Sequence, residues 1–221
     1  MEHQPALTGI AMSSRSTHGE VPEAARAGLR PRPSVGGSPS WCLAEVAGRV
    51  LELTGWRSGA VYSSAIALVV DAQRSGEPAV WVGPRTRSFH PPDAEAAGVD
   101  LAAFPVVRLE STHDLAFAAD VLARSGAFGL IVLDAGSFSL SMGMLSRLAG
   151  LARTHSTAIA ILTEKPAERP SLASVVSFRA DTSFARRSDG SFAHEMAVTR
   201  DRARAMAWRN VELRRGPPGL S

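Results

Sequence analysis

Residues 55–59 (Gly-Trp-Arg-Ser-Gly) have the composition of a turn that could hold phosphate between a strand and a helix. Such turns bind phosphate with backbone amides and a helix N-terminus, and a lysine and a hydroxyl residue follow the second glycine. Here the spacing between Gly55 and Gly59 is one residue shorter than the motif requires, and Ala60 and Val61 stand in place of the lysine and the hydroxyl. The sequence therefore predicts that Gly55, Gly59, Ala60 and Val61 form a vestigial nucleotide site.

Asp134 is a second candidate for nucleotide chemistry, because it ends the apolar run 130–134 as a magnesium-binding carboxylate would. Two interpretations compete: a working magnesium site and a structural remnant. Any mechanism that needs a lysine must use Lys165, the only lysine of the chain, which lies far along the sequence from residues 55–59. The missing lysine and hydroxyl favour the remnant. We therefore expect no catalytic residues, no ATP hydrolysis, and no bound metal or cofactor.

The C-terminal part of the chain is rich in arginine and is the candidate for nucleic-acid contact. The candidate residues are Arg200, Arg202, Arg204, Trp208, Arg209, Arg214 and Arg215. In an extended segment the three alternating arginines would share one face, and the tryptophan ring could stack on a base. The alternative is a solvated arginine-rich surface with the tryptophan packed in the sheet. Binding through phosphates would be weak, independent of sequence and sensitive to salt.

Composition excludes several classes of protein. The chain has 221 residues, of which 45% are hydrophobic and 20% charged, with a net charge of +3, so disorder of the whole chain is excluded. Its apolar runs are shorter than the roughly 20 residues of a membrane helix, and its N-terminus does not resemble a secretory signal. Cys42 is the only cysteine and the histidines lack metal-ligand spacing, which argues against disulfides and zinc sites. We expect a cytoplasmic protein.

The predicted domain organisation is a flexible arm at 1–40, a core domain at 41–215 and a tail at 216–221. The arm is rich in proline, glycine and serine, with a short helix predicted near 23–29. In the core, strands and helices alternate at the lengths of βαβ units. The predicted strands are 50–54, 79–82, 104–108, 130–134 and 158–163, and the predicted helices are 60–74, 93–98, 111–126 and 142–153.

The pattern changes after Lys165. Two strands, 175–185 and 191–199, are joined through an Asp-Gly pair that is a strong hairpin signal, and a third follows at 207–213. The sequence therefore predicts an α/β fold: a mainly parallel sheet flanked by helices, extended by C-terminal antiparallel strands.

Several of these segments, spread over residues 48–187, resemble RecA. Residues 48–53 with Gly55 are similar to the strand that leads into the RecA nucleotide loop. Residues 79–82, followed by two prolines and then 98–100, resemble the next part of that protein. The most specific likeness is in 122–127, continuing through 130–134. The resemblance implies a RecA-like fold.

The departures from RecA fall on its chemistry. Arg85 stands where the resemblance places the catalytic glutamate, and its charge is wrong for activating a water. Thr163 and Glu164 replace the Asn-Gln pair that senses nucleotide, and the long DNA-binding loop is reduced to residues 165–172. The large C-terminal domain of RecA has no counterpart. The resemblance therefore implies a RecA-type ATPase fold that has lost the ATPase activity.

A short RecA-like chain with eroded loops resembles the ImuA group, the RecA-related accessory proteins of the bacterial mutasome. The pair Arg214-Arg215 suits this group. The resemblance implies a non-catalytic adaptor in the SOS response and translesion synthesis. Its implied partners are RecA, an ImuB-like Y-family polymerase homologue and an error-prone DnaE-type polymerase, and the arm before Trp41 could dock on a neighbouring protomer as in RecA.

Two other functions remain open at this point. One is an ATP-dependent, DNA-binding recombinase paralogue of RecA, which would use ATP and magnesium. The other is an unrelated enzyme, for which the sequence offers no supporting motif.

Overall fold

The computed structural model describes residues 39–86, 89–111, 113–204 and 207–214, all within the unit Pro31–Ser221. Nearly all of the predicted arm, including the helix near 23–29, lies outside the described residues, as do Arg215 and the tail 216–221. Arg214 is described by its backbone alone.

Eight strands form one sheet. They are β1 (Val50–Thr54), β2 (Ala79–Pro84), β3 (Val106–Leu109), β4 (Leu130–Gly136), β5 (Ala158–Thr163), β6 (Phe178–Arg186), β7 (Phe192–Asp201) and β8 (Trp208–Arg214). Their order is β3-β2-β4-β5-β1-β6-β7-β8. The pairs from β3 through β6 are parallel, and β7 and β8 extend the sheet with antiparallel pairs. The predicted fold class is confirmed.

Helices cover both faces of the sheet. They are α1 (Leu43–Val46), α2 (Ala60–Arg74), α3 (Pro91–Ala96), α4 (Asp114–Ser125) and α5 (Met142–His155). On one face, α2 packs with Leu51 and Trp81, and on the other, α4 and α5 pack with Ile131 and Leu133. Because both faces are covered, β1, β2, β4 and β5 are buried along their whole length. None of the helices in the described part of the chain has the length and apolar character of a bilayer span.

The observed bounds differ from the predicted ones where the backbone makes local hydrogen bonds. β3 begins at Val106 rather than at 104, because Pro105 has no amide hydrogen for the ladder. β6 begins at Phe178 rather than at 175, because the amide of Val176 bonds the carbonyl of Ala173 in a turn. α3 ends before Gly98, which has a φ of 99°, and the amide of Val99 bonds the carbonyl of Ala94. This is the glycine-terminated end that the sequence indicates.

Candidate functional site

A cleft of about 250 Å³ opens where the carboxyl ends of β1, β4 and β5 meet the start of α2. It is lined by Gly55, Arg57, Ser58, Gly59, Val61, Tyr62, Asp134, Gly136, Leu162, Thr163 and Glu164. The structure therefore brings together Gly55, Gly59, Val61 and Asp134, four of the five residues predicted for the vestigial nucleotide site. The fifth, Ala60, is fully buried in the first turn of α2.

The turn between β1 and α2 uses its hydrogen-bonding groups internally. The amide of Ala60 donates to Ser58 Oγ at 3.2 Å, and the amides of Tyr62 and Ser63 donate to the carbonyl of Gly59 at 3.1 and 3.4 Å. A phosphate-binding turn points such amides at its ligand. The Ser63 bond is the first regular bond of the helix, so two of the donors that a helix N-terminus leaves free, the amides of Ala60 and Tyr62, are already engaged by the protein.

The backbone of the turn is also tightly fitted. A Cβ at Gly55 would lie 3.1 Å from Thr182 Oγ1 and 3.1 Å from Val61 Cβ, so a side chain here would force its neighbours apart. Arg57 has a φ of 52°, in the left-handed region that a non-glycine residue rarely adopts. In this turn the exposed Arg57 lies at the rim of the cleft.

Asp134 lies at the back of the cleft with only 1% of its surface exposed. Gly83 lies on the neighbouring strand β2, and a Cβ added there would come within 3.0 Å of Asp134 Cβ. The absence of a side chain at Gly83 therefore makes room for the side chain of Asp134. Beside Asp134, the register between β4 and β5 shifts before Gly136. Within the described ranges, no group of three or more histidine, cysteine, aspartate or glutamate side chains is arranged to hold a metal ion.

Arg85 does not line the cleft. Its guanidinium lies 2.9 Å from Glu110 Oε1, and both side chains are largely exposed. Its amide donates to the carbonyl of Leu109, which extends the pairing of β2 with β3 by one residue. Arg85, which the resemblance aligns with the RecA glutamate, thus directly follows β2 and forms a surface ion pair.

Lys165, the only lysine, forms an ion pair with Glu52 in the middle of β1 instead of reaching the cleft. Glu52 is fully buried, and 18% of the lysine side chain is exposed. Sequence reasoning missed Glu52, although a glutamate inside the apolar strand 50–54 is a signal that a buried charge needs a partner.

Arg179 and Asp181 on β6 complete a group that we call the Glu52 cluster: Glu52, Lys165, Arg179 and Asp181. Arg179 pairs with Glu52 in the strand register, and its guanidinium lies 3.5 Å from Asp181 Oδ1. Burial raises the pKa of Asp181; the charge of Arg179 opposes this rise and that of Glu52 adds to it. The cluster is linked to the cleft by Thr163, whose Oγ1 donates to Glu52 Oε1 at 3.5 Å.

The arginines predicted to share one face do not do so. β7 ends at Asp201, so Arg202 and Arg204 lie in the following turn rather than in an extended strand. Arg204 forms an ion pair with Glu45 at 2.8 Å and is mostly buried, and Arg200 donates to the carbonyl of Val176 at 3.5 Å. Arg202 and Arg209 are exposed.

Trp208 is half-buried, with its ring edge-on to Phe178 at a centroid distance of 6.1 Å. Its Nε1 donates to Asp201 Oδ2 at 3.3 Å, and Arg49 binds the other oxygen of that carboxylate at 2.7 Å. The ring is therefore packed against the core, which leaves the exposed arginines as the candidates for contact with nucleic acid.

Comparison with known proteins bears on the origin of this site. No family model matches the chain. Over 87 residues, 39% of the chain, it is 38% identical to the protein RecA of Salinispora tropica, 36% to that of Salinispora arenicola and 33% to that of Rubrobacter xylanophilus. The match spans 25% of the length of each of these relatives. This partial similarity and the observed sheet support a relationship between the chain and the RecA superfamily.

Proposed function

We propose that this chain is a RecA-related adaptor that does not hydrolyse ATP and that acts through protein contacts in damage-induced translesion synthesis. The observation that carries the proposal is the turn at 55–59. It is one residue short, the amides of Ala60 and Tyr62 are engaged within the protein, and Ala60 is buried where a phosphate-binding lysine would stand.

The charges at the cleft also support a site that does not take a nucleoside triphosphate. Of the side chains that line it, Arg57 is cationic, whereas Asp134 and Glu164 are acidic. A triphosphate needs a surplus of positive charge, normally from a lysine and a metal ion. The only lysine is bound by Glu52. We therefore expect neither ATP nor magnesium as a cofactor.

The surface of α4 supports the role of protein contacts. Phe117 is 71% exposed and Val121 is 43% exposed, and residues four apart lie on the same side of a helix. The helix itself packs on β4 and β2, and β2 pairs with β3, an edge strand of the sheet. Exposed aromatic and aliphatic groups of this kind are typical of protein interfaces. As partners we propose RecA, an ImuB-like Y-family polymerase homologue and an error-prone DnaE-type polymerase.

The experiment measures phosphate release from Mg-ATP by the purified full chain, with and without single-stranded DNA, beside RecA as a positive control. We expect release at the rate of the buffer alone. DNA-stimulated release that disappears in an Asp134→Asn variant would instead establish the alternative, an ATP-dependent recombinase paralogue of RecA.

A further inference from the structure

The segment 165–172 connects β5 to the rest of the chain without forming a helix or strand, and side chains of two strands bind its backbone. The carbonyl of Lys165 accepts a hydrogen bond from Thr54 Oγ1 at 2.9 Å. The carbonyls of Ala167 and Arg169 accept from the guanidinium of Arg179 at 2.9 and 2.7 Å. The segment is thus held from β1 and from β6.

Glu52 binds both ends of the segment. One carboxylate oxygen accepts from Ser171 Oγ at 2.7 Å and from the amide of Leu172 at 3.0 Å. The other forms the ion pair with Lys165, whose Nζ also donates to the carbonyl of Pro170 at 2.6 Å. A single buried side chain therefore connects the first residue of the segment to its last.

The burial of Glu52 makes these contacts strong. A buried carboxylate without partners is costly, and hydrogen bonds to a charged group are stronger than those between neutral groups. The ion pair and the two shorter hydrogen bonds at Glu52 come from residues 165–172, and of the partners in the described part of the chain only Thr163 Oγ1, which donates at 3.5 Å, lies outside them. Opening this segment would therefore leave the buried carboxylate with that one long hydrogen bond. Residues 167–170 are nevertheless exposed, beside Thr163 and Glu164 of the cleft.

We propose that Glu52 and Lys165 form a latch that holds residues 165–172 closed against the sheet. The segment is then held on the surface of the sheet by buried contacts at its two ends, and it does not extend into solvent unless the ion pair is broken. This inference concerns a conformational device of the fold and stands independently of whether the cleft binds ATP.

The test is amide hydrogen exchange of the full-length protein, wild type and Glu52→Gln, followed by mass spectrometry. The readout is the exchange rate of peptides covering 165–172 divided by that of peptides covering β4, so that a global loss of stability affects both. We expect this ratio to rise about tenfold or more in the variant, because the loop loses its ion pair and a charged acceptor. An unchanged ratio would show that Glu52 does not hold the loop.

Asp120→Asn is the matched control. Asp120 is a buried carboxylate that pairs with Arg124 and Arg147 on α4 and α5, and it contacts no residue of the loop. The control should leave the ratio at its wild-type value, and a rise equal to that of Glu52→Gln would refute the latch.

A second variant, Ser171→Ala, keeps both charges of the latch and removes one hydrogen bond to Glu52. If Glu52→Gln does not fold, Ser171→Ala is the variant that tests the latch. We expect the ratio to rise a few-fold, less than for loss of the carboxylate. No rise in Ser171→Ala would count against the proposal.

Discussion

Gly83 and Asp134 occupy adjacent strands at the back of the cleft, with room for only one side chain between them. A Cβ at Gly83 would lie 3.0 Å from Asp134 Cβ. We therefore expect Gly83→Ala to lower the free energy of unfolding by about 1–3 kcal/mol, the usual cost of overpacking. Urea denaturation measures it. Gly150→Ala in α5 is the control: nothing lies within 4 Å of the added carbon, so this helix substitution should be neutral or stabilising. Equal destabilisation by the two would contradict the argument.

Asp201 gives the protein a predictable dependence on pH. Burial opposes its ionisation, but the hydrogen bond and charge of Arg49, with hydrogen bonds from Trp208 and Ala203, hold the pKa of Asp201 below the ordinary value of 3.8. A carboxyl group with a lowered pKa stabilises the fold above its unfolded pKa, and this stabilisation is lost as pH falls through the folded pKa. The free energy of unfolding should therefore decrease as the pH drops below about 4.

The variant Asp201→Asn isolates this contribution. At pH 7 it should be less stable by about 3 kcal/mol, because Arg49 loses its buried partner. Its stability should also change less than that of the wild type between pH 5 and pH 3, measured by urea denaturation at each pH. Parallel pH profiles for the two proteins would show that Asp201 does not cause the dependence.

At the scale of single residues, the sequence predicts the residues of the cleft but not those of the Glu52 cluster. Gly55, Gly59 and Val61 are neighbours in sequence, and Asp134 follows from the rule that parallel strands end at one edge of the sheet. Glu52 and Lys165 lie far apart along the chain, and spacing carries no information about such a pair. The buried glutamate could have been noticed, but its partner required the fold.

At the scale of secondary-structure elements, α4 tests the proposed role of protein contacts. The double variant Phe117→Ser and Val121→Ser should weaken binding to RecA by about tenfold or more, because exposed apolar anchors contribute most of an interface's affinity. Surface plasmon resonance with immobilised RecA measures the affinity. Leu213→Ser is the matched control: this leucine is 63% exposed on β8, at the opposite end of the sheet, and its loss should have no effect. If the control weakens binding as much as the double variant, the contact is not on α4.

The turn after β7 separates two roles for arginine. Arg204→Ala should reduce stability through loss of its ion pair with Glu45, without changing affinity for single-stranded DNA. Replacing Arg202 and Arg209 together should weaken binding to single-stranded DNA. It should also reduce the slope of log affinity against log salt concentration by the equivalent of about two phosphate contacts. Fluorescence anisotropy at two salt concentrations compares the three proteins. An identical salt response in the wild type and the Arg202/Arg209 variant would show that these arginines do not contact DNA.

The parallel part of the fold was largely predictable because β1, β2, β4 and β5 are buried on both faces and therefore appear in the sequence as mostly apolar runs. α1 was missed, since four residues are too few to show a helical period. The end of β7 was placed two residues early, and the alternation of Arg200, Arg202 and Arg204 suggested an extended segment where the chain turns. Alternation alone does not distinguish a strand from a turn.

At the scale of the whole molecule, the protein is an eight-stranded, mostly parallel sheet with a cleft at the carboxyl ends of β1, β4 and β5, and we propose that this cleft does not hold a nucleotide. Two apolar layers stabilise the sheet from both sides, and a buried ion pair fixes the loop beside the cleft. Stability therefore depends on packing and on internal charges. We propose that the protein serves as a scaffold for partners and needs no nucleotide in its cleft.

The most direct test of that claim is the melting temperature of the full-length protein with and without millimolar Mg-ATP. A ligand present at a hundred times its Kd stabilises the folded state by about 2.7 kcal/mol, which raises Tm by roughly 5–10 °C in a chain of this size. We predict no shift in Tm beyond that caused by magnesium sulfate at the same ionic strength. A rise of several degrees with Mg-ATP, abolished in Asp134→Asn, would contradict it.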